Sequence, residues 1–103
     1  MQFNSISPIP EDDEELHLPE LVYWASLGNL AEVEKALAKG IDVNSTDEEG
    51  YSALHAAAEN DHLDVVKLLV NKGVDVQHQA PHTALELAEM AENIEIVAYL
   101  KSL

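Results

Sequence analysis

One apolar pattern occurs three times along this chain of 103 residues, at nearly constant steps. A shift of 33 residues superimposes the first copy on the second: Leu21, Ala25, Leu30 and Val33 fall on Leu54, Ala58, Leu63 and Val66. A shift of 31 residues superimposes Ser52-Ala53-Leu54 on Thr83-Ala84-Leu85 in the third copy. Periods of roughly 20 to 50 residues are typical of arrays in which each unit buries its apolar face by stacking on its neighbours. We therefore expect a short solenoid.

Each unit is predicted to contain two short helices. Residues 52–60 form the first predicted helix, which begins at Ser52 because a hydroxyl can cap it. Residues 63–72 form the second, which ends before Gly73 and carries one apolar stripe of Leu63, Val66, Leu69 and Val70. The polar run 44–50 and the alternation at 74–76 predict β-hairpin-like fingers. The pattern favours an all-α fold of three helix-turn-helix repeats joined by short fingers.

The middle copy resembles a known family. It reads DEEGYSALHAAA at 47–58, HLDVVKLL at 62–69 and GVDV at 73–76. This is similar to the ankyrin repeat, a β-turn plus two antiparallel helices with the signature T-P-L-H-x-A. The resemblance covers about residues 16–103 and implies an ankyrin-repeat solenoid with repeats at about 16–46, 47–79 and 80–103. It also implies that His55, the signature histidine, is structural and bonds across the hairpin and helix start, for example to Ser52.

The three copies depart from the family pattern at several positions. Ser52-Ala53 stands where Thr-Pro is usual, and Asp61 replaces the usual glycine between the helices, which leaves the form of that turn open. In the first copy Trp24 occupies an alanine slot and is expected to fill space where a preceding repeat is absent. The third copy has Glu86 in place of the signature histidine and a shortened finger before it. We expect the first and third copies to cap the array.

The N-terminal residues 1–15 combine prolines with the acidic run 11–15 and offer little to bury. Such a composition predicts a flexible acidic tail, with 16–103 as the folded domain. The tail has two interpretations: it keeps the protein in solution, or it is a short docking segment that uses Phe3, Ile6 and Ile9.

Charge is strongly skewed, because five lysines, no arginine and twenty acids give a formal net charge of −15. A negative field repels phosphate backbones and anionic lipids, so direct binding to nucleic acid or to a membrane surface is disfavoured and basic partners are favoured. The chain lacks cysteine and any apolar run near the roughly 18 residues of a membrane span. We expect a cytoplasmic, or alternatively nuclear, monomer.

Five histidines raise the question of a metal site: His17, His55, His62, His78 and His82. His78 and His82 are four apart, but Pro81 between them removes the helical geometry that would direct both rings at one ion. The carboxylates fall on predicted polar faces, and no phosphate loop, nucleophile elbow or Cys/His nucleophile pair occurs. We therefore expect no metal, no cofactor and no enzymatic activity.

The resemblance implies that a partner binds on the concave surface, formed by the finger tips and the exposed sides of the first helices. The matching positions of this chain are Ser26, Leu27, Glu48, Glu49, Tyr51, Glu59, Asn60, His82, Met90 and Ala91. The alternative for Leu27 and Met90 is packing between helices.

The leading functional hypothesis is a protein–protein interaction module that binds, masks or recruits a basic partner without chemistry. The alternative is an acidic mimic of nucleic acid that occupies a DNA- or RNA-binding site on another protein, which predicts binding that salt abolishes. A third possibility is an assembly chaperone for a basic subunit.

Overall fold

The computed structural model describes residues 19–103, and the predicted tail and the predicted domain start at residue 16 lie outside this range. The described residues form six helices in three consecutive pairs, and each pair is joined by a turn of two or three residues. The helices are α1 (Glu20–Leu27), α2 (Leu30–Ala38), α3 (Ala53–Glu59), α4 (Leu63–Asn71), α5 (Ala84–Met90) and α6 (Ile94–Lys101). The predicted all-α solenoid of three helix-turn-helix repeats is confirmed.

The helices form two layers. The first helices of the repeats pack side by side, with α3 between α1 and α5, and each also packs on the second helix of its own repeat. Because α3 has neighbours on three sides, six consecutive residues, Ala53 to Ala58, are buried. Four of these six are alanines, which allow the helix axes to approach closely. A helix that is apolar all round is stable only when it is enclosed in this way.

The second helices bury a single stripe, as a helix at the edge of a core does. In α4 the buried residues are Val65, Val66 and Leu69. The predicted stripe is therefore correct at Val66 and Leu69, but Leu63 and Val70 are only half-buried and Val65 was missed.

The turn between the two helices of each repeat passes through the left-handed region of backbone conformation. Gly28, Asp61 and Glu92 occupy equivalent positions, with φ of 72°, 65° and 63°. The turn that Asp61 left open therefore has the same backbone conformation as the glycine turn of the first repeat. An aspartate tolerates this conformation better than most residues do, whereas glutamate has no such advantage.

Imidazole and amide groups connect consecutive repeats. His55 Nδ1 accepts the backbone N–H of Ser52 at 3.2 Å, and because the His82 carbonyl can only accept, His55 Nε2–H donates to it at 2.7 Å. The predicted bond between His55 and Ser52 is thus present, and the neutral ring also joins the second repeat to the third. His78 Nε2–H donates to the Gly50 carbonyl at 2.8 Å, which ties the second finger to the first.

The fingers contain almost no β-structure. Over residues 19–103, one isolated antiparallel bridge is present, and it pairs Thr46 with Ser52. This bridge lies within residues 44–52, which we call the central finger. The shorter segment before α5 is closed instead by the Ala80 N–H, which donates to the His82 carbonyl at 3.1 Å.

Candidate partner-binding face

The last turns of the three first helices form one surface, which we call the ridge: Ser26, Leu27, Glu59, Asn60, Met90 and Ala91. All of these residues were predicted from the repeat positions. The structure answers one question that the sequence left open, because Leu27 is 56% exposed and Met90 is 65% exposed. Neither side chain is enclosed between helices, so both are accessible at the two ends of the ridge.

Hydrogen bonds between repeats hold the backbone of the ridge in place. His62, which precedes α4, donates from Nε2 to the Ser26 carbonyl at 3.1 Å. Asn93, at the equivalent position before α6, donates to the carbonyls of Ala58 at 2.7 Å and Glu59 at 3.2 Å. The ends of α1 and α3 are therefore attached to the following repeat.

Tyr51 and Glu59 form the centre of the face. The Tyr51 hydroxyl donates to Glu59 Oε1 at 2.6 Å, and the tyrosine ring stacks on the His55 ring with centroids 5.8 Å apart. Burial, together with the hydrogen bond to the Glu59 carboxylate, raises the pKa of Tyr51 far above its usual value. The phenol therefore stays protonated and directs the exposed Glu59 carboxylate, which remains available to a partner.

The tip of the central finger presents two further carboxylates. Asp47 accepts the backbone N–H groups of Glu49 at 2.9 Å and Tyr51 at 3.0 Å through one carboxylate oxygen. This arrangement, with Gly50 at φ 89°, forms a tight turn whose outermost side chains are Glu48 and Glu49. Both are exposed, and in residues 19–103 no hydrogen bond or ion pair involves either carboxylate.

His82 lies at the edge of the face, and its main contact with the other residues of the face is made by its backbone carbonyl. Its carbonyl accepts from His55, and its half-buried ring has Nδ1 at 3.5 Å from Glu86 Oε1. The structure thus connects Tyr51, Glu59 and, through His55, the backbone of His82. Sequence reasoning did not identify the pairing of Tyr51 with Glu59, which are eight residues apart along the chain.

Positive charge is absent from this face. The lysines all belong to the second helices or to the residues that end them: Lys35, Lys39, Lys67, Lys72 and Lys101. Some of them form ion pairs with nearby acids, because Lys39 lies 3.0 Å from Glu20 and Lys35 lies 3.4 Å from Glu32. The ridge and the central finger therefore combine carboxylates with two exposed apolar side chains and contain no cation.

Other classes of site find little support in the described part of the chain. Among residues 19–103 no group of three or more histidine, aspartate and glutamate side chains is placed to hold a metal ion. His78 uses its Nε2–H on the Gly50 carbonyl. None of the six helices has both the length and the apolar content needed to cross a membrane.

Comparison with known proteins agrees with this architecture. The profile described as ankyrin repeats, in three copies, matches residues 21–103. The chain is 39% identical to alpha-latrocrustotoxin-Lt1a of Latrodectus tredecimguttatus over 87 residues, which are 82% of this chain and 6% of the toxin. It is 40% identical to the ankyrin repeat and KH domain-containing protein mask-1 of Caenorhabditis elegans over 83 residues, or 78% of this chain and 3% of that protein.

A third relative, ankyrin repeat-containing protein P1E11.10 of Schizosaccharomyces pombe, is 37% identical over 76 residues, which cover 72% of this chain and 37% of that protein. The chain thus spans well under half the length of each of these relatives. Because the matching profile extends over residues 21–103, which contain nearly all of the three helix pairs, the chain belongs to the ankyrin-repeat family.

Proposed function

We propose that this chain is a non-catalytic binding module that takes a basic protein or peptide on the ridge and the central finger, acting as a monomer. The observation that carries the proposal is the separation of charge described above. Carboxylates of Glu48, Glu49 and Glu59 share one face with Leu27 and Met90, while every lysine lies on the second-helix layer. A surface that offers Lys or Arg beside apolar groups complements such a face.

Charge and apolar contact have different roles in this proposal. Exposed ion pairs contribute only about 0–1 kcal/mol each, so the carboxylates act mainly by attracting and orienting the partner. Burying a Leu or Met side chain completely is worth about 1.5–3 kcal/mol, and Leu27 and Met90 retain more than half of their surface to bury. We therefore assign affinity chiefly to these two side chains and selectivity for basic partners to the carboxylates.

The same geometry supports binding without chemistry. Acid–base catalysis requires carboxylates in a water-excluding pocket that separates their pKa values. Glu48, Glu49 and Glu59 are exposed, and Tyr51 keeps its proton. The residues of this face are therefore suited to contact and orient a partner and not to transform one.

Affinity capture from a lysate of the source organism tests this proposal. One variant reverses charge on the central finger, Glu48→Lys/Glu49→Lys. A matched control reverses the same number of charges on the second-helix layer, Glu34→Lys/Glu95→Lys, where both residues are exposed. Capture is compared at about 0.15 M and about 0.5 M salt, a range over which the screening length falls to a few ångströms.

We expect the wild type and the control to capture the same basic protein, and the finger variant to lose it. If the finger variant and the control lose the partner to the same extent, the overall negative field is responsible instead of this face. Displacement of the partner by added DNA or RNA would then favour the nucleic-acid mimic. If both variants keep the partner at both salt concentrations, binding occurs elsewhere and the proposal is wrong.

A further inference from the structure

The ridge has an ordered pattern along the array. Its first repeat presents the exposed apolar side chain Leu27, its middle repeat presents the Glu59 carboxylate, and its third repeat presents the exposed apolar side chain Met90. The three positions belong to successive first helices that pack directly against each other. Glu59 and Met90 are equivalent positions, whereas Leu27 is equivalent to Asn60 and Ala91 and so lies one residue further along its helix. A partner that contacts the whole ridge meets an apolar group, an acid and an apolar group, one in each successive repeat.

Helix packing sets the length of the step from one repeat to the next. Packed helices lie about 8–10 Å apart, so each repeat advances the ridge by about 10 Å. Seven residues of an α-helix span about 10.5 Å and return to nearly the same face. Three residues of a β-strand cover a similar length, but they direct the side chain to the opposite face. Three residues of polyproline II cover about 9 Å on one face, so a helix and a polyproline II segment both fit the step.

The hydrogen-bonding groups of the ridge discriminate between these two conformations. A polyproline II segment has no internal hydrogen bonds, so a binding surface must supply donors for its carbonyls. The side-chain donors of Ser26, Asn60 and Tyr51 each already donate within the chain, which leaves the second N–H of Asn60. Ser26 Oγ donates to the Tyr23 carbonyl at 2.7 Å, Asn60 Nδ2 donates to the Ala56 carbonyl at 2.8 Å, and the Tyr51 hydroxyl donates to Glu59. A helix needs none of these donors because it satisfies its own backbone.

We propose that the ridge binds one amphipathic basic helix of the partner, in which two apolar residues lie fourteen positions apart and a lysine or arginine lies midway between them. The apolar residues contact Leu27 and Met90, and the cation pairs with Glu59. The flexible methionine accommodates the drift of about 20° per seven residues between an α-helix and the ridge. This inference rests on the proposed function, because it defines the segment that the basic partner inserts.

Synthetic peptides of about 18 residues test the proposed register. The first peptide is an alanine-, glutamine- and lysine-rich helix with two leucines fourteen positions apart and a lysine midway. The second has the same composition and charge but leucines nine positions apart, which places them on different sides of the helix. A third, proline-containing peptide places two leucines and a central lysine at three-residue steps. Affinity is measured by fluorescence anisotropy and helix content by circular dichroism.

The chain offers a matched control for its own variants. Leu27→Ala and Met90→Ala truncate the two ridge anchors, whereas Ile94→Ala truncates a side chain that is 77% exposed and lies outside the ridge. We expect the first peptide to bind at least about tenfold more tightly than the second, and each ridge variant to weaken it by about tenfold. Ile94→Ala should leave its affinity unchanged.

Three outcomes overturn the proposed register. If the first two peptides bind equally well and the finger charge reversal weakens both, the fourteen-residue spacing is wrong, while binding of a basic partner to this face still stands. Tighter binding of the proline-containing peptide would replace the helix with an extended segment. An absence of binding by all three peptides would overturn the helix proposal alone, because lysate capture by the wild type and loss with the finger variant test the proposed function independently.

Discussion

His55→Ala is the substitution that most directly tests how the repeats are joined. The ring is 1% exposed, and its removal leaves the buried Ser52 N–H without its acceptor, which costs about 1–3 kcal/mol. It also removes the bond to the His82 carbonyl, worth about 1 kcal/mol, and leaves a cavity that costs about 1–2 kcal/mol. We expect a loss of about 3–6 kcal/mol in the free energy of unfolding, a large part of the total for a small domain.

Urea unfolding followed by circular dichroism at 222 nm measures this loss. Glu86→Ala is the matched control, because Glu86 Oε1 accepts the Thr83 N–H at 3.0 Å in the equivalent capping box of the third repeat. Its side chain is only half-buried, and among residues 19–103 its contacts are with the nearby Thr83 and His82, so its loss should cost about 0.5–1 kcal/mol. A cost for His55→Ala no greater than that for Glu86→Ala would refute the argument that burial and the bond between repeats make His55 important.

Three further predictions concern pH and backbone conformation. Burial lowers the pKa of His55, so below about pH 6.5 the unfolded chain binds more protons than the folded chain. The free energy of unfolding of the wild type should therefore fall as the pH is lowered, by up to about 1.4 kcal/mol per pH unit. Urea unfolding should show a smaller fall for His55→Gln, and an equal fall in both proteins would contradict the assignment to His55. Glu92→Gly should raise the free energy of unfolding by about 0.5–1 kcal/mol, because glycine relieves the left-handed strain at φ 63° and its own backbone entropy offsets part of the gain; a lower midpoint in urea would contradict this. Gly28→Ala should cost about 2–3 kcal/mol, because the backbone has φ 72° and the new Cβ would lie 2.4 Å from His62 Nδ1, which breaks the His62 bond to the first repeat. Gly40→Ala, at φ 97° with open space around it, measures the backbone term alone, and an equal cost for both would exclude the His62 contribution.

The repeat period was sufficient to predict the architecture. Once residues 33 apart are known to be equivalent, the burial of one copy predicts that of the next, and the helix caps Ser52 and Thr83 mark where the first helix of the second and third units begins. The structural role of His55 was implied by the resemblance to the ankyrin repeat, and the bond between its ring and the Ser52 N–H agrees with that role. The limits of the repeats at 16–46, 47–79 and 80–103 remain predictions.

Contacts between repeats were not predictable in the same way. The period shows which residues are equivalent but not which atoms meet across a repeat boundary. His62 and His78 were considered as candidate metal ligands, yet each donates to a backbone carbonyl 28 or more positions away. Asn93 takes the role of His62 with a different side chain, so a search for identical residues at the repeat spacing would overlook it.

The candidate site was predictable in position and only partly in character. Family geometry placed Leu27 and Met90 on the exposed side of the first helices, but their exposure depends on the packing of neighbouring repeats, which the sequence does not specify. The pairing of Tyr51 with Glu59 depends on the path of the central finger over α3, which is determined by the turn at Asp47. That these residues bind a partner remains a proposal.

Some charged side chains of this chain make contacts within the fold, and others do not. Lys35 and Lys101 lie in the last turns of α2 and α6, where they interact favourably with the helix dipole, and Lys35 and Lys39 also pair with nearby acids, so their placement has a structural cause. Glu59 likewise accepts a hydrogen bond from Tyr51. Glu48 and Glu49 follow Asp47 directly, and in a chain with net charge −15 three adjacent acids repel each other. Among residues 19–103 no hydrogen bond or ion pair uses the last two carboxylates, so the fold leaves them free for the contact with a basic partner that we propose.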